Sequence, residues 1–133
     1  GHNRLILNSK LFFIYNAKKT KTKINQSNFG LITVSAELNA LMEREPQYQI
    51  EIFGALQNKY FFGDWGHILE DSVKYNNETI EQCNGGDILG AYRLSNGKEI
   101  WIKTYGFGLT ADQCKPHNII DCNNTCIMFP HEN

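Results

Sequence analysis

Four residues near the C-terminus have side chains and a spacing that suit a metal site. Cys114, His117, Cys122 and Cys126 follow one another as C-x2-H-x4-C-x3-C. Thiolate and imidazole are common zinc ligands, and four protein ligands would leave a zinc ion no open position for catalysis. We therefore expect any zinc bound here to be structural. Two alternatives stay open, namely a disulfide among the three cysteines and free thiols in a reducing compartment.

A second group of residues could line a pocket for a small molecule. Asp64 and His67 share one glycine-rich turn, and a carboxylate beside an imidazole fixes its tautomer and shifts its pKa. The candidate pocket, between this turn, a third helix and a later strand, comprises Asp64, Trp65, His67, Asn77, Tyr92, Arg93 and Trp101. In the alternative, structural interpretation, Asp64 organises the turn and the aromatic residues pack in the core or pair across strands.

Charge and motifs argue against several classes of function. The chain has no Ser/His/Asp or Cys/His arrangement with catalytic spacing, so we expect binding rather than catalysis. Its formal net charge is -1, which gives no overall attraction to nucleic acid or to an anionic membrane. The lysine-rich residues 18–23 are a solvated linker or, alternatively, an anion contact. No apolar run approaches the roughly 20 residues of a membrane-spanning helix.

Periodicity predicts the elements that position these residues. A β-branched strand over residues 31–34 leads into a helix capped by Ser35, and Pro46 separates that helix from a second one. The turn at residues 63–66 precedes a third helix, which begins at Glu70 or Asp71 and ends at the glycine-rich residues 84–86. Either Asn76 or Asn77 is expected to hydrogen-bond back to the turn, because amides inside a helix compete with the backbone.

The C-terminal half of the chain predicts a sheet. Two strands, at residues 88–94 and 99–104, flank Asn96-Gly97, the strongest short signal for a hairpin. A last strand follows at residues 126–129. This order of elements predicts an α+β fold, in which about three helices pack on one face of a small antiparallel β-sheet.

The chain is expected to form an N-terminal arm and one domain. The arm covers residues 1–29, of which residues 1–2 have the sequence of a tag remnant. Residues 30–133 form a single α+β domain with a cysteine-bearing loop insertion at about 105–125. The apolar residues 5–15 of the arm need cover, so we expect them to mediate self-association. The expected assembly is a homo-oligomer, with two subunits as the expected size.

Several short motifs together resemble those of the small uncharacterised proteins encoded on plasmids, prophages and integron cassettes. The matching residues are the strand at 31–34 entering a helix, Gly63-Asp64-Trp65-Gly66, Asn77 with Glu78, Gly86, Ala91-Tyr92-Arg93, Gly97 and Ile100-Trp101-Ile102-Lys103-Thr104. The resemblance covers residues 30–104 and 127–130. Residues 105–125 depart from it and look like an insertion. It implies a bacterial, cytoplasmic protein of a mobile genetic element and no particular reaction.

These observations predict a mobile-element accessory protein that binds a protein partner or a second copy of itself. The alternative is a small-molecule-binding protein or an enzyme with a pocket near the turn at residues 63–66. No cofactor is expected apart from a structural zinc at Cys114, His117, Cys122 and Cys126.

Overall fold

The computed structural model describes the backbone of residues 2–4 and all atoms of residues 22–115 and 122–133. The expectations for the apolar residues 5–15 and for His117 lie outside the described residues. Within them, none of the helices has the length and apolar character that crossing a membrane requires.

The described residues form an α+β fold. The strands are β1 (His2–Arg4), β2 (Leu31–Ser35), β3 (Ile88–Arg93), β4 (Glu99–Tyr105) and β5 (Asn124–Met128). The helices are α1 (Ala36–Arg44), α2 (Gln47–Gly54), α3 (Glu70–Gln82) and the short α4 (Ala111–Cys114). A π-helical turn (Ala55–Lys59) and a 3-10 turn (Tyr60–Phe62) continue α2, and further 3-10 turns cover Gln26–Phe29 and Pro130–Glu132.

The strands form one sheet in the order β1-β2-β5-β4-β3. The predicted hairpin is confirmed, since β3 and β4 pair antiparallel from Ile88 opposite Thr104 to Arg93 opposite Glu99. The sheet is nevertheless mixed, because β2 and β5 run parallel, and the prediction of an antiparallel sheet is wrong on this point. A long chain segment connects β2 to β5, so no local turn sets their relative direction.

The helices begin where the sequence predicts, but two caps differ. Ser35 occupies the N-cap position of α1, yet its Oγ donates to Glu132 Oε1 at 2.5 Å. The other oxygen of Glu132 accepts the amide of Glu37 at 3.2 Å, so this distant carboxylate satisfies the start of α1. At the end of α3, Cys83 takes the left-handed conformation expected of the glycine-rich residues 84–86, with φ of 50°.

The core lies between α1, α2 and one face of the sheet. Alternate residues of β4 point inward, and both Ile100 and Ile102 are fully buried. An aromatic cluster surrounds Phe29, whose ring centroid lies 4.9–5.2 Å from those of Tyr60, Phe61 and Phe107. We expected about three helices on one face of the sheet, but the third helix lies elsewhere. α3 runs beside β3, at the edge of the sheet, where Asn76 bonds to the backbone of Leu89.

A chain of hydroxyl groups crosses this core. Tyr60 and Thr104 lie 2.6 Å apart, Thr104 and Thr125 lie 2.7 Å apart, and Thr125 donates to the carbonyl of Phe29 at 2.7 Å. Each hydroxyl has one hydrogen, so the donation by Thr125 requires Thr104 to donate to Thr125 and Tyr60 to donate to Thr104. Burial raises the pKa of Tyr60 and keeps its phenol protonated.

Candidate functional site

Most of the residues expected to line a pocket come together along the free edge of β3. A terminal strand normally presents unpaired N–H and C=O groups to solvent. Here the outward backbone groups of Leu89 and Ala91 are hydrogen-bonded by residues outside the sheet. We call β3 together with these partners the β3 edge.

The turn at residues 63–66 closes one part of the β3 edge. The amide of Ala91 donates to the carbonyl of Trp65 at 2.9 Å, and the amide of His67 donates to the carbonyl of Ala91 at 2.7 Å. Gly66 lies between them with φ of 71°, and a Cβ at this position would stand 2.0 Å from the carbonyl oxygen of Ala91. Only glycine therefore allows the turn to approach the strand so closely.

Side chains interlock behind this turn. Asp64 Oδ1 accepts the amide of Gly66 at 3.1 Å, and the buried Trp65 donates its Nε1 hydrogen to Asn77 Oδ1 at 3.0 Å. The hydroxyl of Tyr92 donates to the backbone carbonyl of Asp64 at 2.7 Å, and burial raises the pKa of Tyr92. The structural interpretation of Asp64 and the predicted return bond from one helical asparagine both agree with these contacts.

Asn76 closes the neighbouring part of the β3 edge. Its Nδ2 donates to the carbonyl of Leu89 at 2.8 Å, and its Oδ1 accepts the amide of Leu89 at 3.4 Å. Asn76 is 2% exposed. Its side chain makes the two backbone hydrogen bonds to Leu89 that a neighbouring strand would otherwise make. The sequence signal for this role was an asparagine inside a helix, but it did not distinguish Asn76 from Asn77.

The structure brings together only part of the predicted pocket. Asp64, Trp65, His67, Asn77 and Tyr92 meet at the β3 edge, where hydrogen bonds link Trp65 to Asn77 and Tyr92 to Asp64.

Arg93 and Trp101 belong elsewhere. Trp101 pairs with Ala91, whereas Tyr92 pairs with Ile100, so Trp101 and Tyr92 lie on opposite faces of the sheet. Arg93, the residue after Tyr92, is exposed and points away from it for the same reason. Arg93 and Trp101 therefore lie apart from the other five residues of the predicted pocket.

No acid–base pair is assembled at this edge. His67 is exposed, and its imidazole shares no hydrogen bond with the carboxylate of Asp64 or with any other residue that the structure describes. The carboxylate of Asp64 is instead bonded to the amide of Gly66. Among the described residues, the contacts of the β3 edge hold the turn against the strand and do not pair the carboxylate of Asp64 with the imidazole of His67.

Two of the four predicted zinc ligands are joined in a disulfide. Cys114 and Cys122 are bonded, with their Cα atoms 5.7 Å apart. Cys126 is a buried thiol within β5, and burial raises its pKa. A disulfide has no thiolate to offer, so the predicted zinc site requires the reduced chain. Residues 22–115 and 122–133 contain no group of three side chains that could hold a metal ion.

A cleft that the sequence did not indicate lies beside the first two turns of α3. It has a volume of about 330 Å³, and its lining includes Asp71, Ser72, Tyr75, Asp87, Leu89 and Lys103. These residues come from the first two turns of α3, from the start of β3 and from the facing part of β4. Their convergence depends on the register of β3 with β4, where Leu89 stands opposite Lys103.

No protein-family model, curated protein or solved structure matches this chain.

Proposed function

We propose that this chain is a non-catalytic accessory protein of a bacterial mobile genetic element, and that it acts by binding a second copy of itself or another protein. The motif resemblance supports the origin. The difference between the two edges of the sheet supports the mode of action and is the observation on which the proposal depends.

The central part of the β3 edge is already hydrogen-bonded. An incoming strand would use the outward backbone groups of Leu89 and Ala91, and Asn76, Trp65 and His67 already bond them. Strand addition at this edge would require these contacts to break.

The opposite edge is formed by β1, whose three residues pair with residues 33–35 of β2. β1 directly precedes the apolar residues 5–15 of the chain. The arm that we expect to mediate self-association therefore follows the strand at the opposite edge, where residues 22–115 and 122–133 supply no closure like that at β3. Exchange of this arm, or pairing of β1 with β1, would join two copies.

Removal of residues 1–21 tests this proposal. The truncated chain loses β1 and its pairing with residues 33–35 of β2, but it keeps the amide of Ile24 on the carbonyl of Phe61 and the cap of Asn25 on Ser27. We expect the full chain to have twice its 15.3 kDa mass in native mass spectrometry and light scattering, and the truncated chain to be a monomer. An unchanged subunit number after truncation would contradict the proposal.

A matched control separates the apolar residues from the lysines. Replacing Leu11, Phe12 and Phe13 with serine should give a monomer, because it removes the apolar surface without shortening the arm. Replacing Lys18, Lys19 and Lys21 with serine should leave the dimer intact. Loss of the dimer in the lysine variant alone would indicate an electrostatic contact instead.

Binding of a small molecule is the second candidate function. The cleft between α3, β3 and β4 favours it, since its volume of about 330 Å³ is within the range of ligand sites. At the turn of residues 63–66, where we expected the pocket, Asp64 and Trp65 hydrogen-bond to Gly66 and Asn77.

A further inference from the structure

The cleft beside α3 has an apolar floor and an aromatic wall. Leu89, which is half-buried, belongs to its lining. Tyr75 is 53% exposed, although most large apolar or aromatic side chains of the described residues are covered. An exposed ring beside a half-buried leucine provides contact area for a short hydrocarbon chain.

Two carboxylates without cationic partners stand at this cleft. Asp71 lies in the first turn of α3, and Asp87 directly precedes β3. Neither forms an ion pair with a residue in the ranges 22–115 and 122–133. Asp87 is held in place by the amide of Gly106, which donates to its Oδ1 at 3.1 Å. A fixed carboxylate beside a second one favours a cation as the ligand.

The lysine in the cleft does not neutralise these carboxylates. Lys103 Nζ lies 3.4 Å from Asn133 Oδ1 and 4.7 Å from the centroid of the Tyr105 ring. Its ammonium group is therefore held by residues outside the cleft lining, while the negative charges of Asp71 and Asp87 stay available. The ring of Tyr75 would add a cation–π contact to an ammonium group placed beside it.

We propose that this cleft binds a primary ammonium group carried on a short aliphatic chain. Asp71 and Asp87 would contact the ammonium group, and Leu89 and Tyr75 would contact the hydrocarbon. A free alkylamine and the side chain of a lysine present the same chemistry. The site is separate from the β1 edge, so binding here does not depend on self-association.

Titration of the full chain with n-butylammonium, followed by amide NMR shifts, tests the proposal. We expect saturable shifts at Asp87 and Leu89, and weaker binding as salt is added. The Asp71→Asn/Asp87→Asn variant should bind about tenfold more weakly, which corresponds to about 1.4 kcal/mol. Glu78→Gln/Glu81→Gln is the matched control, because it also removes two negative charges, from α3 outside the cleft, and should leave the affinity unchanged.

Two further probes complete the test. Uncharged n-butanol should bind more weakly than n-butylammonium, and Tyr75→Leu should weaken binding of the ammonium while leaving the fold intact. Nα-acetyl-lysine methylamide distinguishes the two sources of the ligand. If it binds the cleft as tightly as n-butylammonium, a lysine of a partner protein is favoured. If it does not bind, a free amine is favoured. Equal affinities for butanol and butylammonium, or an unchanged affinity in the double aspartate variant, would overturn the proposal.

Discussion

The two edges of the sheet are finished by different kinds of structure. At β3, one asparagine side chain and one glycine-containing turn satisfy the backbone of Leu89 and Ala91. At β2, the partner is another strand, β1, which brings its own outward backbone groups. When side chains and turns bond the outward backbone groups of an edge strand, no new backbone edge forms. When another strand bonds them, that strand presents outward backbone groups of its own. Among the described residues, closure by a side chain and a turn is seen at the β3 edge.

Gly66→Ala should have the largest effect on this difference. The new Cβ would meet the carbonyl oxygen of Ala91 at 2.0 Å, so the turn must leave the β3 edge. We expect a loss of about 3 kcal/mol in the free energy of unfolding, measured by urea denaturation.

Gly97→Ala is the control for backbone strain. Gly97 also has a positive φ, of 86°, but no atom lies within 4 Å of the position that a Cβ would take there. We expect its replacement to cost about 1 kcal/mol. Equal losses at Gly66 and Gly97 would mean that the close contact with Ala91 contributes nothing.

Asn76→Ala should have the next largest effect, because it opens the β3 edge without moving the turn. It leaves the amide and carbonyl of Leu89 without their partner, which should cost about 2 kcal/mol. Hydrogen exchange at the amide of Leu89 should accelerate, and light scattering should reveal assemblies larger than those of the native chain.

The neighbouring asparagine provides the comparison. Asn77→Ala removes the bond to Trp65 but leaves Leu89 paired, so it should cost about 1 kcal/mol and leave the assembly size unchanged. If both variants form the same larger assemblies, the opened edge is not their cause.

The stability of the chain should fall in acid because of Glu132, which bonds the start of α1 directly after β2. Partial burial raises the pKa of Glu132, but hydrogen bonds from Ser35, Phe129 and Glu37 outweigh it and leave the pKa below its ordinary value. A lowered pKa contributes stability above the ordinary value of 4.5, and this contribution is lost as the pH falls through the folded-state pKa. Glu132→Gln should flatten the fall in melting temperature below that pH. An unchanged pH profile in Glu132→Gln would contradict this assignment.

The smallest effect is expected far from both edges, in α2. Gly54 has helical backbone angles, and its Cα faces open space, with no atom within 4 Å of where a Cβ would lie. Gly54→Ala should therefore stabilise the chain by about 0.5–1 kcal/mol in urea denaturation without changing the subunit number. A destabilised variant would mean that this part of the helix surface is covered.

Local sequence signals predicted the elements well, because each depends on a few adjacent residues. Asn96-Gly97 predicted the hairpin, and Pro46 predicted the break between α1 and α2. The bond of Asp64 within the turn followed from its side chain, and a return bond from one of Asn76 and Asn77 was expected without the choice between them.

Long-range features were beyond such signals. The parallel pairing of β2 with β5 depends on the path of the whole chain between them. The position of Trp101 depends on the register of β3 with β4, and a shift of one residue would move it to the other face. The cleft could not be predicted for the same reason, since its residues come from three separate elements that the strand register brings together. Which cysteines pair was equally undetermined, since spacing alone permits several connections.

The hydroxyl chain from Tyr60 to Phe29 gives this core a fixed direction of proton donation. Because the last acceptor is a carbonyl, the hydrogens of Tyr60, Thr104 and Thr125 all point the same way. All three side chains are fully buried, so none of these hydrogens can exchange with water until the aromatic cluster and the sheet separate. The lifetimes of these three hydroxyl protons would therefore measure how often the interior of the protein opens.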